Sequence, residues 1–530
     1  MAVKTDRFVE ELSSKEDDEA DFLTGLRPEQ VMQLEFSKDC DRVLYSTAFR
    51  RLGGVAQVVM SSEVALFHNR LTHTLKTAQV GTRLVNFIGR RYKDNQTILS
   101  DINDHGGIDS RVVRAACMAH DLGHPPFGHV AEEELQHISS TKPNSVSTKR
   151  EDKRTVERHV ITIPKDYDIS DRFEGNAQSF RIVTKLAFRE PAIGEAPAPA
   201  LNLTRACLGA LLKYPWPYAD GARPHGAPKD MKWGYYDTES EITHWVFGDT
   251  GPSRRDRRVE GYDEPWIEFR TVEAQLMDWS DDISYAVHDV EDFFRIGLIP
   301  LDQLRSSDSE WDSFFNSAWT YVLEKKKFAK NDKAWVHQEL EKARGRFPPN
   351  PYEGFGVDRE HLHNFASTTI RDAVRGTEVV GGGIVVPVRA QRATIEILKR
   401  LTWYYVIDRP SLQSAQVGQR QLIRSLYSAL IEWVEVAWPG VGSGKRIEFT
   451  GKGETETSSR RRRELPARLL SYLDVAFGES LDSAKYGENQ RISRGVIDYI
   501  VSLTEAQAID LHSRLTGGSV RSMLDTWVQA

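Results

Sequence analysis

A mainly α-helical protein is what this sequence predicts, and three observations carry the expectation. Apolar residues recur at helical spacing through most of the chain. Segments with the β-branched content of strands are few and short. Hydrophobic residues make up 40% and charged residues 28% of the 530, the balance of a globular chain, which excludes a disordered or fibrous protein. At about 100–200 residues per domain this length would hold roughly three domains, and it is ample for a large buried core.

From the N-terminus, residues 1–38 read as a polar arm, because MAVKTDRFVEELSSKEDDEADF lacks the apolar centre of a secretory signal. VAQVVMSSEVALF at 55–67 has the composition of a first small β-hairpin. In HNRLTHTLKTAQVGTRLVNFIGRRY, Leu71, Leu75, Ala78, Val85 and Ile88 fall near one stripe of a helix. Similar helical patterns occupy 111–120, 271–295, 391–437 and 496–515, and EVVGGGIVVPVRA at 378–390 reads as a second hairpin. Polar stretches at 138–172, 217–265 and 440–463 interrupt the helices as surface insertions.

Charge and cysteine usage exclude more than they identify. With 70 basic against 77 acidic residues the net charge is −7, so no global positive field advertises nucleic acid. The most basic stretch, SRRRR at 459–463, reads as a solvated loop or as a contact for phosphate or single-stranded DNA. Cys40, Cys117 and Cys207 have no CxxC spacing and read as buried thiols of a reducing compartment. No apolar run reaches the roughly 18 residues of a membrane span, so a cytoplasmic protein without membrane partners is expected.

Chemistry concentrates in AHDLGHPPFGHVAEEEL, which sets His120, Asp121, His124, His129 and Glu132 within a short span. An adjacent His and Asp can ligate one metal where a helix ends, and LGHPPFG is a terminator because Pro cannot continue a helix. Upstream, His73 lies on the amphipathic helix three residues after Arg70; downstream, Asp281, Tyr285 and Asp289 stand at i, i+4 and i+8, sharing one helix side. His73, His120, Asp121 and Asp281 make a mixed nitrogen and oxygen set. Such a set suits a divalent ion, whether Mn, Mg, Fe, Co or Zn, and leaves positions open for water and phosphate. The chain also holds a control: His288 and Asp289 form a second His-Asp pair without these surroundings.

The ordered pattern of His73, His120 with Asp121, and Asp281 resembles the HD-domain metal phosphohydrolases. Blocks such as DRVLYSTAFRRLGG at 41–54, RLTHTLKTAQVG at 70–81, FEGNAQSFRI at 173–182 and DYIVSLTEAQAIDLHSRLTG at 498–517 are similar to the deoxynucleoside triphosphate triphosphohydrolases of the deoxyguanosine triphosphatase type. The resemblance runs in order from near residue 39 to near 517. It implies an HD-domain helical core with a helical C-terminal extension, which splits the chain into an arm (1–38), a catalytic core (39–300) carrying insertions near 138–172 and 217–265, and a C-terminal region (301–530) that completes the substrate site and the oligomer contacts. One large core with elaborations then fits better than three separable units.

The same resemblance implies hydrolysis of a dNTP, with dGTP the favoured guess, to deoxynucleoside and tripolyphosphate by water attack at the α-phosphorus. A divalent ion, Mn or Mg first, would polarise the α-phosphate and activate water. His129 matches the family's acid, Glu132 would orient it, and His124 would face the phosphates. Arg70, Lys213 and Lys232 match basic positions for the tripolyphosphate tail. Tyr285 and Asp289 resemble a pair that packs on the sugar and bonds its 3′ hydroxyl, and Asn176 is a further polar contact or a turn residue. Gly53 stands where many members carry a glutamine that recognises the sugar, so base and sugar specificity are less legible than the reaction. The family further implies a homo-oligomer, often a hexamer, and admits a nucleotide activator. Two other readings compete: an HD-type phosphohydrolase acting on another phosphoester, and a nucleic-acid-binding regulatory protein with an accessory HD site.

Overall fold

The computed structural model describes residues 6–7, 27–57, 68–140, 167–188, 200–219, 232–248, 269–325, 328–437, 464–479 and 486–518. Nineteen α-helices and one two-stranded sheet occupy them, as the helical spacing predicts. The N-terminal half contributes α1 (Pro28–Leu44), α2 (Thr47–Arg51), α3 (Arg70–Arg91), α4 (Gln96–Asp104), α5 (Ser110–Ala119), α6 (His129–Ile138), α7 (Gly175–Arg181), α8 (Arg205–Leu211), α9 (Ser240–Phe247) and α10 (Val272–Arg295). The rest contributes α11 (Leu301–Ser306), α12 (Asp308–Glu324), α13 (Lys333–Arg344), α14 (Gly356–Arg375), β1 (Thr377–Val380), β2 (Ile384–Pro387), α15 (Arg389–Thr402), α16 (Pro410–Ala437), α17 (Ala467–Gly478), α18 (Glu488–Val501) and α19 (Glu505–Leu515). The helix α1 runs continuously across residue 38.

Three of these helices form the centre: α3 packs along both α5 and α10, and α5 packs on α10 and α1. Each begins on a side-chain cap that satisfies an otherwise orphaned amide. Asn69 Oδ1 accepts from Thr72 N at 2.9 Å before α3, Asp109 Oδ1 accepts from Arg111 N at 2.7 Å before α5, and Thr271 Oγ1 accepts from Ala274 N at 3.0 Å before α10. Val112, Val113 and the run Ala115–Ala119 of α5 are all buried, the small residues allowing close approach of its two neighbours. On α3 the stripe holds for Ala78, Val85 and Ile88, but Leu75 is 42% exposed. A 3.6-residue period carries Leu75 out of the face that Thr74, Ala78 and Val85 bury.

Two long patterns prove to be broken helices. The 391–437 pattern divides at a π-helical turn, Trp403–Ile407, and restarts at Pro410, whose missing N–H is harmless at a helix start. The 496–515 pattern divides at Ser502–Thr504, where Thr504 caps α19 through Gln507 N at 3.3 Å. The hairpin expected at 378–390 forms as β1 and β2 in antiparallel register, turning through Gly382 and Gly383 at positive φ. Of the hairpin at 55–67, residues 58–67 lie outside the described residues, as do 141–166, 220–231, 249–268 and 438–463 of the insertions and with them the SRRRR run. Cys40, Cys117 and Cys207 are buried free thiols. Among the described residues no helix is long and apolar enough to cross a membrane.

Helices from the C-terminal half pack on those of the N-terminal half, α15 and α14 on α10 and α16 on α6, and α16 also packs on α19. A single apolar cluster extends from Phe36 to Leu511. A smaller one joins Ala177, Trp216, Trp233 and Tyr236 beside α7.

Candidate metal centre and the histidine loop beside it

Three elements converge on one point. His73 stands one turn into α3, His120 and Asp121 stand where α5 ends, and Asp281 stands on α10. Donor atoms of His73, His120 and Asp121 lie within 4.8 Å of one another. Asp281 closes the group, its Oδ1 3.0 Å from His73 Nε2 and 3.5 Å from His120 Nε2. The Nδ1 of His120 donates to Cys117 O at 2.7 Å, which fixes the tautomer and turns Nε2 toward the two carboxylates. That Nε2 is buried with no hydrogen-bond partner.

The electrostatics favour a cation here. Burial alone would lower the pKa of His120, yet Asp121 and Asp281 push it up to about 9. Burial would raise both carboxyls, but His120 and Arg70 hold Asp121, and His120 and His73 hold Asp281, well below the usual carboxylate range. Two imidazoles facing two ionised carboxylates make a donor set that a divalent ion fits.

Beyond Asp121 the chain makes a tight loop, with Phe127 and Gly128 both at positive φ (70° and 57°). It is fastened from three sides. Gly123 N donates to Ser179 Oγ at 2.8 Å; Arg51 donates to Leu122 O at 2.7 Å and His124 O at 2.9 Å; Glu505, the first residue of α19, accepts from Phe127 N at 3.3 Å and Ala56 N at 3.0 Å. The loop delivers His124 into the interior and His129 to the start of α6. His129 Nδ1 lies 2.7 Å from Glu132 Oε2, with the histidine 58% exposed and the glutamate buried. Although burial raises its pKa, Lys232 and His129 hold the Glu132 carboxyl well below the usual range, so it is an acceptor. His124 is driven down to about 4 by burial and by the Arg70 charge, hence neutral near pH 7.

With this geometry in view, the similarity to known proteins is specific. The HD domain family model matches residues 70–186. A deoxyguanosinetriphosphate triphosphohydrolase-like protein of Streptomyces coelicolor is 31% identical over 502 residues, which cover 91% of this chain and 92% of that one. The chain belongs to the deoxyguanosinetriphosphate triphosphohydrolase-like family. Similarly named proteins of Shewanella pealeana and Shewanella sediminis are 26% and 25% identical, each match covering 92% of this chain and 94% of the relative.

For this triphosphohydrolase-like chain the remaining predicted residues fall around the same centre, with partners the sequence did not reveal. Arg70 donates to Asp121 Oδ2 at 2.8 Å while its Nε and Nη2 are buried without partners. Lys213 pairs with Asp278 and lies 3.8 Å from Asp281 Oδ2. Lys232 stands between Glu132 (3.6 Å) and Glu174 (3.5 Å). Asn176 gives its side-chain amide to Glu174 at 2.8 Å in the first turn of α7, so the turn role accounts for it in this structure. Tyr285 is half-buried and Asp289 buried, its Oδ2 unpartnered. At Gly53 an added Cβ would meet only Leu71, at 3.6 Å, so nothing in the backbone prevents a side chain there.

Sequence reasoning missed Glu174 and Asp278, the carboxylates that hold the two lysines. Asp278 lies three residues before Asp281 on the same helix side, which was the available signal. It also set aside His288 as lacking surroundings. That ring is buried, stacks on His68 at 5.2 Å and stands edge-on to His73 at 6.3 Å, directly behind the metal-type set.

Proposed function

We propose that this chain hydrolyses deoxynucleoside triphosphates, dGTP the first candidate, to deoxynucleoside and tripolyphosphate, with water attacking the α-phosphorus. The observation that carries this reading is the juxtaposition of a two-histidine, two-carboxylate set with a hydrogen-bonded His129–Glu132 pair one loop away; the names of the relatives supply the substrate class. A divalent ion on His73, His120, Asp121 and Asp281, with Mn or Mg first, supplies Lewis acidity at the phosphate and lowers the pKa of water.

His129 acts as general acid toward the 5′ oxygen, a poor leaving group whose protonation is worth a large factor in rate. Glu132 keeps the proton on Nδ1 and sets the ring so that Nε2 faces the substrate. His124, neutral, faces the phosphates from between the metal-type set and His129 without adding charge. The two unpartnered nitrogens of Arg70 are suited to the same phosphates. Lys213 and Lys232 reach the tail by exchanging a carboxylate partner for phosphate. Tyr285 packs under the sugar. Burial and Asp292 push the Asp289 pKa well above the usual range, and its unpartnered Oδ2 is left to meet the 3′ hydroxyl.

Incubation of the four dNTPs and GTP with Mn or Mg, followed by product analysis, tests the reading. Tripolyphosphate and deoxynucleoside in equal amounts are expected, and release of pyrophosphate or orthophosphate overturns it. Asp121→Ala should lose both metal and turnover. His129→Ala should keep metal and lose about 100-fold or more in turnover; full activity in that variant removes the acid role.

A further inference from the structure

We infer that His124, His129 and Glu132 form a second, inhibitory site for a transition-metal dication of the zinc type, separate from the His73–Asp281 set. Their donor atoms lie within 4.8 Å of one another. The two oxygens of Glu132 are divided: Oε1 accepts from Gly175 N at 3.0 Å and faces Lys232, while Oε2 faces both histidines, 2.7 Å from His129 Nδ1 and 3.9 Å from His124 Nε2. His124 is 8% exposed, and its Nε2 has no hydrogen-bond partner although it points at that oxygen. Its other nitrogen lies 3.1 Å from Asp121 Oδ1, on the side of the first set, leaving Nε2 to the second.

Tetrahedral zinc with donors at about 2.0–2.1 Å separates them by roughly 3.3 Å, a value that the 2.7 and 3.9 Å distances straddle, and with every pair of donors within 4.8 Å shifts on the order of 1 Å assemble the site. Two imidazoles and one carboxylate are a zinc-type set with a fourth position open to water or a phosphate oxygen, and nitrogen donors disfavour Mg. Binding displaces the proton of His129 Nδ1 to solvent and puts a cation where Glu132 accepts it. The inhibitory consequence rests on the acid role proposed above for His129; the existence of the site does not.

Equilibrium dialysis of the full chain against Zn²⁺ and Co²⁺ provides the test. Wild type should bind two ions per chain. His129→Ala, altered at an exposed side chain, should bind one, its affinity for the second falling by more than the roughly 100-fold that loss of an outer partner causes. Asp281→Asn should also bind one, and its cobalt form should show the intense visible bands of four-coordinate ions. Retention of the other ion in each variant reports that the fold survives; Glu132→Gln, which keeps the Gly175 contact, is the second variant and should likewise lose only the second ion. In wild type loaded with Mn, added Zn²⁺ should arrest turnover and a chelator followed by Mn should restore it. A single ion in wild type, or a second ion that persists in both His129→Ala and Glu132→Gln, overturns the site. A second ion that leaves turnover unchanged overturns its inhibitory role. An active His129→Ala variant with unaltered wild-type stoichiometry removes the acid reading instead.

Discussion

Glu174 shows how much one side chain can do without appearing in any motif as a chemical group. It caps α7 through Asn176 N and Ala177 N at 2.6 and 3.1 Å, and it shares Lys232 with Glu132. Burial, against the opposing charge of Lys232 and with that of Glu132, pushes its pKa up to about 7 from 4.5. Between these values the unfolded chain has released a proton that the native state still holds, so stability falls as pH rises through that window, by as much as about 3 kcal/mol for this group. Glu174→Gln should flatten that fall, gaining on wild type at pH 7 relative to pH 4.5, as urea titrations at the two pH values would read. An unchanged difference would remove the shift. In the sequence Glu174 stood inside the block at 173–182 with no role assigned to it. By contrast His73, His120, Asp121 and Asp281 were legible, because residue types with metal-donor atoms stood at helix positions that could share a point. His288 was not, since burial behind His73 is a property of two helices packing and leaves no local trace.

The loop from Asp121 to His129 is held by close fit against α7 as well as by its hydrogen bonds. A Cβ added at Gly123 would stand 2.2 Å from Gly175 O and 2.3 Å from Ser179 N, backbone atoms that cannot yield without parting the loop from the helix. Gly123→Ala should therefore cost about 2 kcal/mol or more and lower turnover more than tenfold, although no charged or histidine side chain is altered. Denaturation and steady-state rates would show it; wild-type values for both would mean the loop tolerates the separation. Pro and Gly spacing made this loop legible as a rigid turn. Its fastening by Arg51 and by Glu505 was not legible, because hydrogen bonds at a sequence separation of 378, as between Phe127 and Glu505, have no periodicity. The helix breaks at Trp403–Ile407 and Ser502–Thr504 were missed for a related reason: the apolar period resumes in phase on the far side of each.

Across the molecule, the two halves of the chain are joined by buried charge as well as by the common apolar cluster. Arg181, fully buried on α7, donates to both oxygens of Asp498 on α18 and to Glu239 and Glu479, while Arg494 pairs with Asp171 at 2.5 Å. Gln178 donates to Asp498 Oδ1 at 2.7 Å, and Tyr236 donates to Glu174 O at 3.2 Å, so this network reaches the turn that faces the histidine loop. Asp498→Ala leaves a buried guanidinium short of a partner and should cost about 3–5 kcal/mol in chemical denaturation; a loss below about 1 kcal/mol would show that Glu239 and Glu479 suffice. Collinear blocks made the involvement of the C-terminal segment legible, but which of its charges cross to α7 depends on packing alone. For the reaction itself, the decisive measurement is hydrolysis of dGTP in water labelled with heavy oxygen, with Mn present, and mass analysis of both products. Attack at the α-phosphorus with departure of the 5′ oxygen places the label in tripolyphosphate and leaves the deoxynucleoside unlabelled. Label in the 5′ hydroxyl of the deoxynucleoside, or in a monophosphate released with pyrophosphate, would contradict it.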